Sequence, residues 1–386
     1  MKKIELVKDT ISNEEIDELI LWLKTYPRLT KGSVTKEFEI KWSKWIGCKY
    51  SVFVNSGSSA NLLMIYALKF LKKLKNKKVC VPALSWATDL SPILQLDLQP
   101  ILIDCNLENL SVDLTHLEKT FKEENPSCLI LVSVLGLSPY MSEIISLCKK
   151  YDVILLEDNC ESQGTKFEGI KLGNFGLMSS FSTYFGHTMS TIEGGFVCTN
   201  DEEIYHTILQ LRSHGWDRDL PEEKQMELQN KWGIDKFNSL YTFYIPGFNF
   251  RSTDLQAKIG LSQLERVDDM IETRYQNFLI YEKNLSNKIW FPKIVKNSYT
   301  SNFAIPLIFE SMEKKFNVIK KFENIIECRP LISGSMGIQP FYKQVFGELK
   351  LPNVSLVDSF GMYVPNHPKL TKKEIELICD IVLNTK

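Results

Sequence analysis

The spacing of hydrophobic positions changes several times along the chain. Ile16, Leu19, Ile20 and Leu23 recur at helical spacing behind Ser12-Asn13-Glu14-Glu15, where Ser12 and Glu15 can satisfy each other's orphan backbone donors. An amphipathic helix is therefore predicted over residues 13–25, and a second over 35–45. From there to about residue 200, short apolar runs alternate with helical stretches. Strands are predicted at 50–54, 78–82, 100–104, 128–134, 152–157, 178–182 and 196–199, with helices at 58–71, 114–121, 141–150 and 202–213. Strands alternating with helices argue for an α/β layer around a mostly parallel sheet.

Beyond this region the pattern weakens. Residues 216–243 are polar and lack a clear period, which predicts a long surface loop with short helical pieces. One long helix is expected over 254–284, with Leu255, Ile259, Leu261, Leu264 and Val267 on its apolar side. The last hundred residues mix short strands and helices and end in a helix at 372–383. The division between domains is expected near residue 250, with a larger domain over 1–250 and a smaller one over 251–386.

Composition narrows the function classes. A chain of 386 residues, 44% hydrophobic and 24% charged, is neither collagen, a disordered tail nor a coiled-coil rod. Its 46 basic and 47 acidic residues leave a net charge of -1, so no broad basic field exists for tracking nucleic acid. Any anionic ligand must be held by a local site. The opening MKKIELVKDT has no apolar core or cleavage site, so no signal peptide is expected. The most apolar stretch, 128–137, is ten residues and too short to span a bilayer, so no membrane partner is expected. Nine cysteines lie at least twelve residues apart, without CxxC or metal-ligand spacing. Reduced buried thiols, no metal and a cytoplasmic location are the corresponding expectations.

Three segments carry candidate chemistry. Asn55-Ser56-Gly57-Ser58-Ser59-Ala60-Asn61 joins a strand to a helix, where backbone N–H groups and the helix dipole favour an anion. The same residues also read as a simple N-cap. Leu155-Leu156-Glu157-Asp158-Asn159 closes an apolar strand with an acid. At the carboxyl end of a parallel strand, Asp158 would face the ligand crevice and suit the protonated ring nitrogen of PLP; it also reads as a turn residue. The third segment runs from Ser179-Ser180-Phe181-Ser182 through a lone His187 to Glu193-Gly194-Gly195-Phe196.

Together and in this order, the three segments resemble the DegT/DnrJ/EryC1/StrS sugar-nucleotide aminotransferases. Gly32-Ser33-Val34 with Phe38-Glu39 and Gly47, Pro82 with Trp86, and PGFNFRSTDLQAKIG ending at Gly260 extend the resemblance over most of the chain. It implies an aspartate aminotransferase-like, fold-type I PLP enzyme, with a large α/β/α domain and a smaller C-terminal α+β domain. It also implies that Ser56, Gly57, Ser58 and Ser182 bind the cofactor, Trp86 stacks on its ring, and Asp158 meets the pyridine nitrogen. Sites in this family are shared across a homodimer, so Asn249 is expected to reach the neighbouring subunit's cofactor and Arg251 its substrate. Both residues also read as a loop capping the helix that begins near residue 254.

One position departs from the family pattern. Where its aminotransferases carry the lysine that bonds to PLP, this chain has His187. In this it is similar to the branch that removes the C3 hydroxyl of GDP-4-keto-6-deoxymannose. Glu161, in place of the usual glutamine, and Arg212-Ser213-His214-Gly215-Trp216 agree with that branch. The implied enzyme is a PLP/PMP-dependent lyase of deoxysugar and O-antigen biosynthesis, with glutamate regenerating PMP. Imidazole cannot bond to PLP as lysine does, but with an ordinary pKa of about 6.5 it can take and pass on a proton. Arg329 and His214 are candidate substrate contacts. An ordinary aminotransferase, an iron–sulfur-assisted 3-dehydrase and a silent sugar-nucleotide binding protein are the competing readings; His187 opposes the first and scattered cysteines the second.

Overall fold

A computed structural model describes residues 3–385. Helices α1 (Asn13–Leu23) and α2 (Ser33–Ile46) lead into an alternating segment. Its elements are β1 (Tyr50–Val54), α3 (Gly57–Phe70), β2 (Lys78–Pro82), α4 (Ala87–Gln95), β3 (Gln99–Ile103), α5 (Leu114–Glu124), β4 (Cys128–Val132), α6 (Met141–Lys150) and β5 (Ile154–Asp158). The short β6 (Lys166–Phe167) and β7 (Ile170–Lys171) precede β8 (Met178–Ser182), β9 (Gly195–Thr199) and α7 (Glu202–Arg212). Seven strands form one sheet in the order β1-β9-β8-β5-β4-β2-β3. β9 runs antiparallel to both neighbours, and the remaining pairs are parallel.

The physical reason for unbroken apolar strands is burial on both faces. Ile130 and Leu156 point into one core cluster, while Leu129, Leu131 and Leu155 of the same strands point into another. The predicted capping box at the first helix forms: Glu15 N donates to Ser12 Oγ and Ser12 N to Glu15 Oε2.

Two expectations change in the middle of the chain. Within the polar region lies a full helix, α8 (Glu222–Trp232), none of whose residues is buried, so no apolar stripe marks it. The expected long helix is two, α9 (Asp254–Glu265) and α10 (Val267–Leu285), separated at Arg266, whose ψ of 11° leaves the helical region. The Arg266 guanidinium reaches both carboxylate oxygens of Glu15, at 2.8 and 2.9 Å, tying the break to α1.

Part of the remaining chain builds a second core. β10 (Ser298–Tyr299) pairs with β6; β11 (Ile305–Ile308), β12 (Arg329–Pro330) and β13 (Gly361–Val364) form a small antiparallel sheet. α11 (Met312–Phe322) and α14 (Lys372–Asn384) pack into that core, while α12 (Pro340–Phe346) and α13 (Pro352–Phe360) send Tyr342, Val354 and Val357 into the core of the large sheet. Ile4, near the start of the chain, joins this core and bridges Ile326.

Candidate active site

The carboxyl ends of β5 and β8, the start of α3 and the loop after β8 converge on a cavity of about 620 Å³. At its floor, Ser56 Oγ accepts from Ser59 N at 3.1 Å and so caps α3. The first-turn N–H groups of Gly57 and Ser58 have no partner within the helix and remain for another acceptor. This turn lies against β8 so closely that a Cβ on Gly57 would come within 2.7 Å of Ser182 Cβ and 2.8 Å of Cys160 Sγ.

Asp158 closes β5 and is nearly buried. Its Oδ1 accepts from Cys160 N at 2.8 Å and its Oδ2 from Asn61 Nδ2 at 2.6 Å, which fixes the plane of the carboxylate. Glu161 accepts from Leu135 N at 2.7 Å; burial outweighs that bond and pushes its carboxyl up to about 7. Trp86, at the start of α4, leaves its indole 55% exposed over the same space.

His187 sits in the loop between β8 and β9. The ends of that loop are pinned by Thr183 N to Gly194 O and Thr191 N to Thr183 O, both 2.9 Å. Its backbone N–H donates to Tyr184 O at 2.9 Å, and its carbonyl accepts from Arg274 at 3.2 Å. The ring packs 5.3 Å from Phe303, and Nδ1 is buried without a hydrogen-bond partner. Burial pushes the imidazole down to about 4, against the opposing pull of Asp158. Its base is therefore neutral at pH 7. Among the described residues lining the cavity there is no lysine.

This arrangement is that of a known family. Residues 9–383 match the model of the DegT/DnrJ/EryC1/StrS aminotransferase family. The chain belongs to this family. A GDP-4-keto-6-deoxy-D-mannose 3-dehydratase of Yersinia pseudotuberculosis is 35% identical over 364 residues, 92% of this chain and 91% of its own. The E. coli GDP-4-keto-6-deoxy-D-mannose-3-dehydratase structure with bound hydrated PLP superimposes with a TM-score of 0.89 at 31% identity, covering 99% of this chain and all of the other. A GDP-4-keto-6-deoxymannose-3-dehydratase structure with a trapped PLP-glutamate geminal diamine gives 0.89 at 30% identity, covering 98% of this chain and 100% of its own.

Within this member of the DegT/DnrJ/EryC1/StrS family, Ser56, Gly57, Ser58, Trp86, Asp158, Glu161, Ser182, His187 and Arg329 all line the one cavity. Arg329 lies exposed at the rim, with Nη1 on its own neighbour's carbonyl, Cys328 O, at 2.9 Å. Asn249, Arg251 and His214 form a separate group. Arg251 Nε donates to Asn249 Oδ1 at 3.0 Å and Nη2 lies 3.3 Å from His214 Nε2. None of the three lines the cavity of its own chain. Two residues that sequence reasoning missed, Asn61 and Asp89, are buried beside Asp158. Asn61 ends the quoted Asn55–Asn61 run. Asp89 had only one signal, its place three residues after Trp86 at the spacing of a helix cap.

Proposed function

We propose that this chain is a PLP/PMP-dependent dehydratase that removes the C3 hydroxyl of a nucleotide-linked 4-keto-6-deoxy sugar, of the GDP-4-keto-6-deoxymannose type. Glutamate restores the amino form of the cofactor. The observation that carries this reading is a cavity of this family's cofactor type lined by a neutral His187 with an enclosed Nδ1, and by no lysine among the described residues. The residues fit the cofactor: a cradle at Gly57 closed to any side chain, an oriented acid at Asp158, and an orphaned imidazole nitrogen in the same cavity.

Each residue then has a task. Ser56, Gly57 and Ser58 hold the phosphate on the start of α3, with Ser182 packed beneath. Asp158 keeps the pyridine nitrogen protonated, Trp86 covers a ring face, and Glu161 completes the polar wall. PLP supplies the electron sink that makes the neighbouring sugar carbons reactive. His187, neutral and held beside Asp158, accepts a proton and delivers it to the departing hydroxyl. Its depressed pKa makes it a weaker base than free imidazole but, once protonated, a stronger acid. Arg329 meets the anionic substrate at the rim.

The lining has five carboxyls, Asp89, Asp158, Glu161, Glu193 and Glu327, against one guanidinium. A nucleotide diphosphate needs more positive charge than that. We infer a homodimer in which Arg251 of the partner subunit, with its Asn249 and His214, completes each site. The division near residue 250 belongs to the same proposal, with 1–250 carrying the cofactor site. A cytoplasmic setting is proposed from nine free thiols; no helix among the described residues is long and apolar enough to cross a membrane.

The test is incubation of pure protein with PLP, glutamate and a panel of 4-keto nucleotide sugars, followed by mass analysis. Loss of water without retained nitrogen is expected. A retained amino group identifies an aminotransferase, and an unchanged panel a binding protein.

A further inference from the structure

Asp89 is an acid with no exposed surface, and the chemistry above does not use it. In the first turn of α4, its Oδ2 accepts from Trp86 N at 3.1 Å, so it holds the backbone of the residue that carries the exposed indole. Its Oδ1 accepts from Asn61 Nδ2 at 3.2 Å, and the same nitrogen donates to Asp158 Oδ2 at 2.6 Å. Asn61 is fixed in turn: its Oδ1 accepts from Ser180 Oγ at 2.5 Å, and its Nδ2 also meets Thr88 O at 3.4 Å. That carbonyl is available because Pro92, four residues on, has no N–H to offer it. One amide therefore bridges two buried carboxyls.

Two carboxylates this close and this deep repel, and one of them keeps its proton unless a cation intervenes. The titratable groups facing the pair are Cys160 and Glu161 on the turn after β5 and His187 on the loop after β8. None brings positive charge at neutral pH, because burial raises the two acids and lowers the imidazole. Arg329, the guanidinium of the lining, is exposed at the rim. Asp89 is the deeper member of the pair, and burial first, then the charge of Asp158, holds its carboxyl well above the usual range.

We propose that Asp89 is a positioning residue that keeps a proton and shares it with Asp158, so that the pair carries one negative charge and aims one fixed carboxylate at the pyridine nitrogen of the cofactor. The aim rests on the cofactor reading above; the proton does not. Asp89 touches no reacting atom. It acts by donating to Asp158 while accepting from the Trp86 backbone, which couples the ring over the cofactor to the acid at its nitrogen.

Infrared spectra of the cofactor-free protein test the proton. At about pH 9, above the range in which Glu161 titrates, the native chain should show the carbonyl stretch of a protonated carboxylic acid. Asp89→Asn should remove that band, and Glu161→Gln should leave it. A native spectrum without the band, or a band unchanged in Asp89→Asn, overturns the proposal. The aim is tested by PLP absorbance titrations of two variants. Asp89→Leu, which loses both the cap and the donor, should bind PLP about tenfold or more weakly than Asp89→Asn, which keeps them. Equal binding by the two variants overturns the positioning role. Failure of the native chain to bind PLP at all sinks the cofactor reading instead, while the infrared band still decides the proton.

Discussion

A half-buried histidine whose Nδ1 is enclosed and unpaired does not behave as imidazole does in water. Its ordinary pKa of about 6.5 gave a base that would be partly charged near neutrality; burial corrects this, pushing His187 down to about 4. His187→Asn keeps the shape and removes the base, so dehydration should fall about a hundredfold or more while PLP absorbance is retained. Dehydration at the native rate in that variant would rule His187 out as the proton carrier. The same shift has a consequence for stability. Because the folded pKa lies below the unfolded one, the contribution of neutral His187 is complete above about pH 6.5 and is lost as pH falls toward 4. His367, also lowered to about 4 by burial, contributes with the same sign. Melting temperatures of the cofactor-free protein should therefore drop less on acidification in His187→Asn than in the native chain; parallel curves would contradict the depressed pKa. With no lysine among the described residues of the lining, borohydride reduction of the PLP-loaded protein should yield no pyridoxyl-lysine peptide from this cavity. Recovery of one would replace the whole reading with an aminotransferase.

At the scale of elements, burial decided what the sequence could reveal. β2 and β4 begin where their apolar runs place them, because strands buried on both faces need no period to be seen. α8 was missed because it buries nothing, and the break between α9 and α10 because Arg266 is chemically an ordinary helix former. α4 was missed because Thr88, Asp89, Ser91 and Pro92 disguise it, and Asp89 was missed with it. The residues that line the cavity were legible through family motifs. The Asn61 bridge was not, since it exists only when α3, α4 and β5 meet in space. The same convergence makes Gly57 indispensable. A methyl group there would lie 2.7 Å from Ser182 Cβ and 2.8 Å from Cys160 Sγ, so α3 must shift from β8. Gly57→Ala should destabilise the protein by about 1–3 kcal/mol and weaken PLP binding, read by thermal melting and absorbance titration. Native melting and affinity together would show that the turn has slack.

For the whole molecule, charge is the argument for assembly. A single chain offers its cavity one guanidinium, Arg329, while Asn249, Arg251 and His214 cluster outside it. The backbone at Arg251 bridges Val54, two residues before the Ser56 turn, so the cluster is carried on the same strand edge that leads into that turn. A two-fold dimer that apposes these edges would exchange the clusters, each subunit supplying the other with a planar forked donor suited to phosphate oxygens. Complementation separates this arrangement from a site complete within one chain. Arg251→Ala chains and His187→Ala chains should each be inactive as homodimers. In a heterodimer, the site that has His187 from one chain and Arg251 of the partner subunit is intact, and the other site lacks both. Random mixing makes half the dimers hybrid, so roughly a quarter of native activity should return. The measurement is dehydration rate against mixing ratio, with hybrid dimers quantified by native mass spectrometry. Hybrids that form but stay inactive would place His187 and Arg251 in the same subunit's site. The charge deficit of the cavity would then have to be met by Arg251 and Arg329 of one chain.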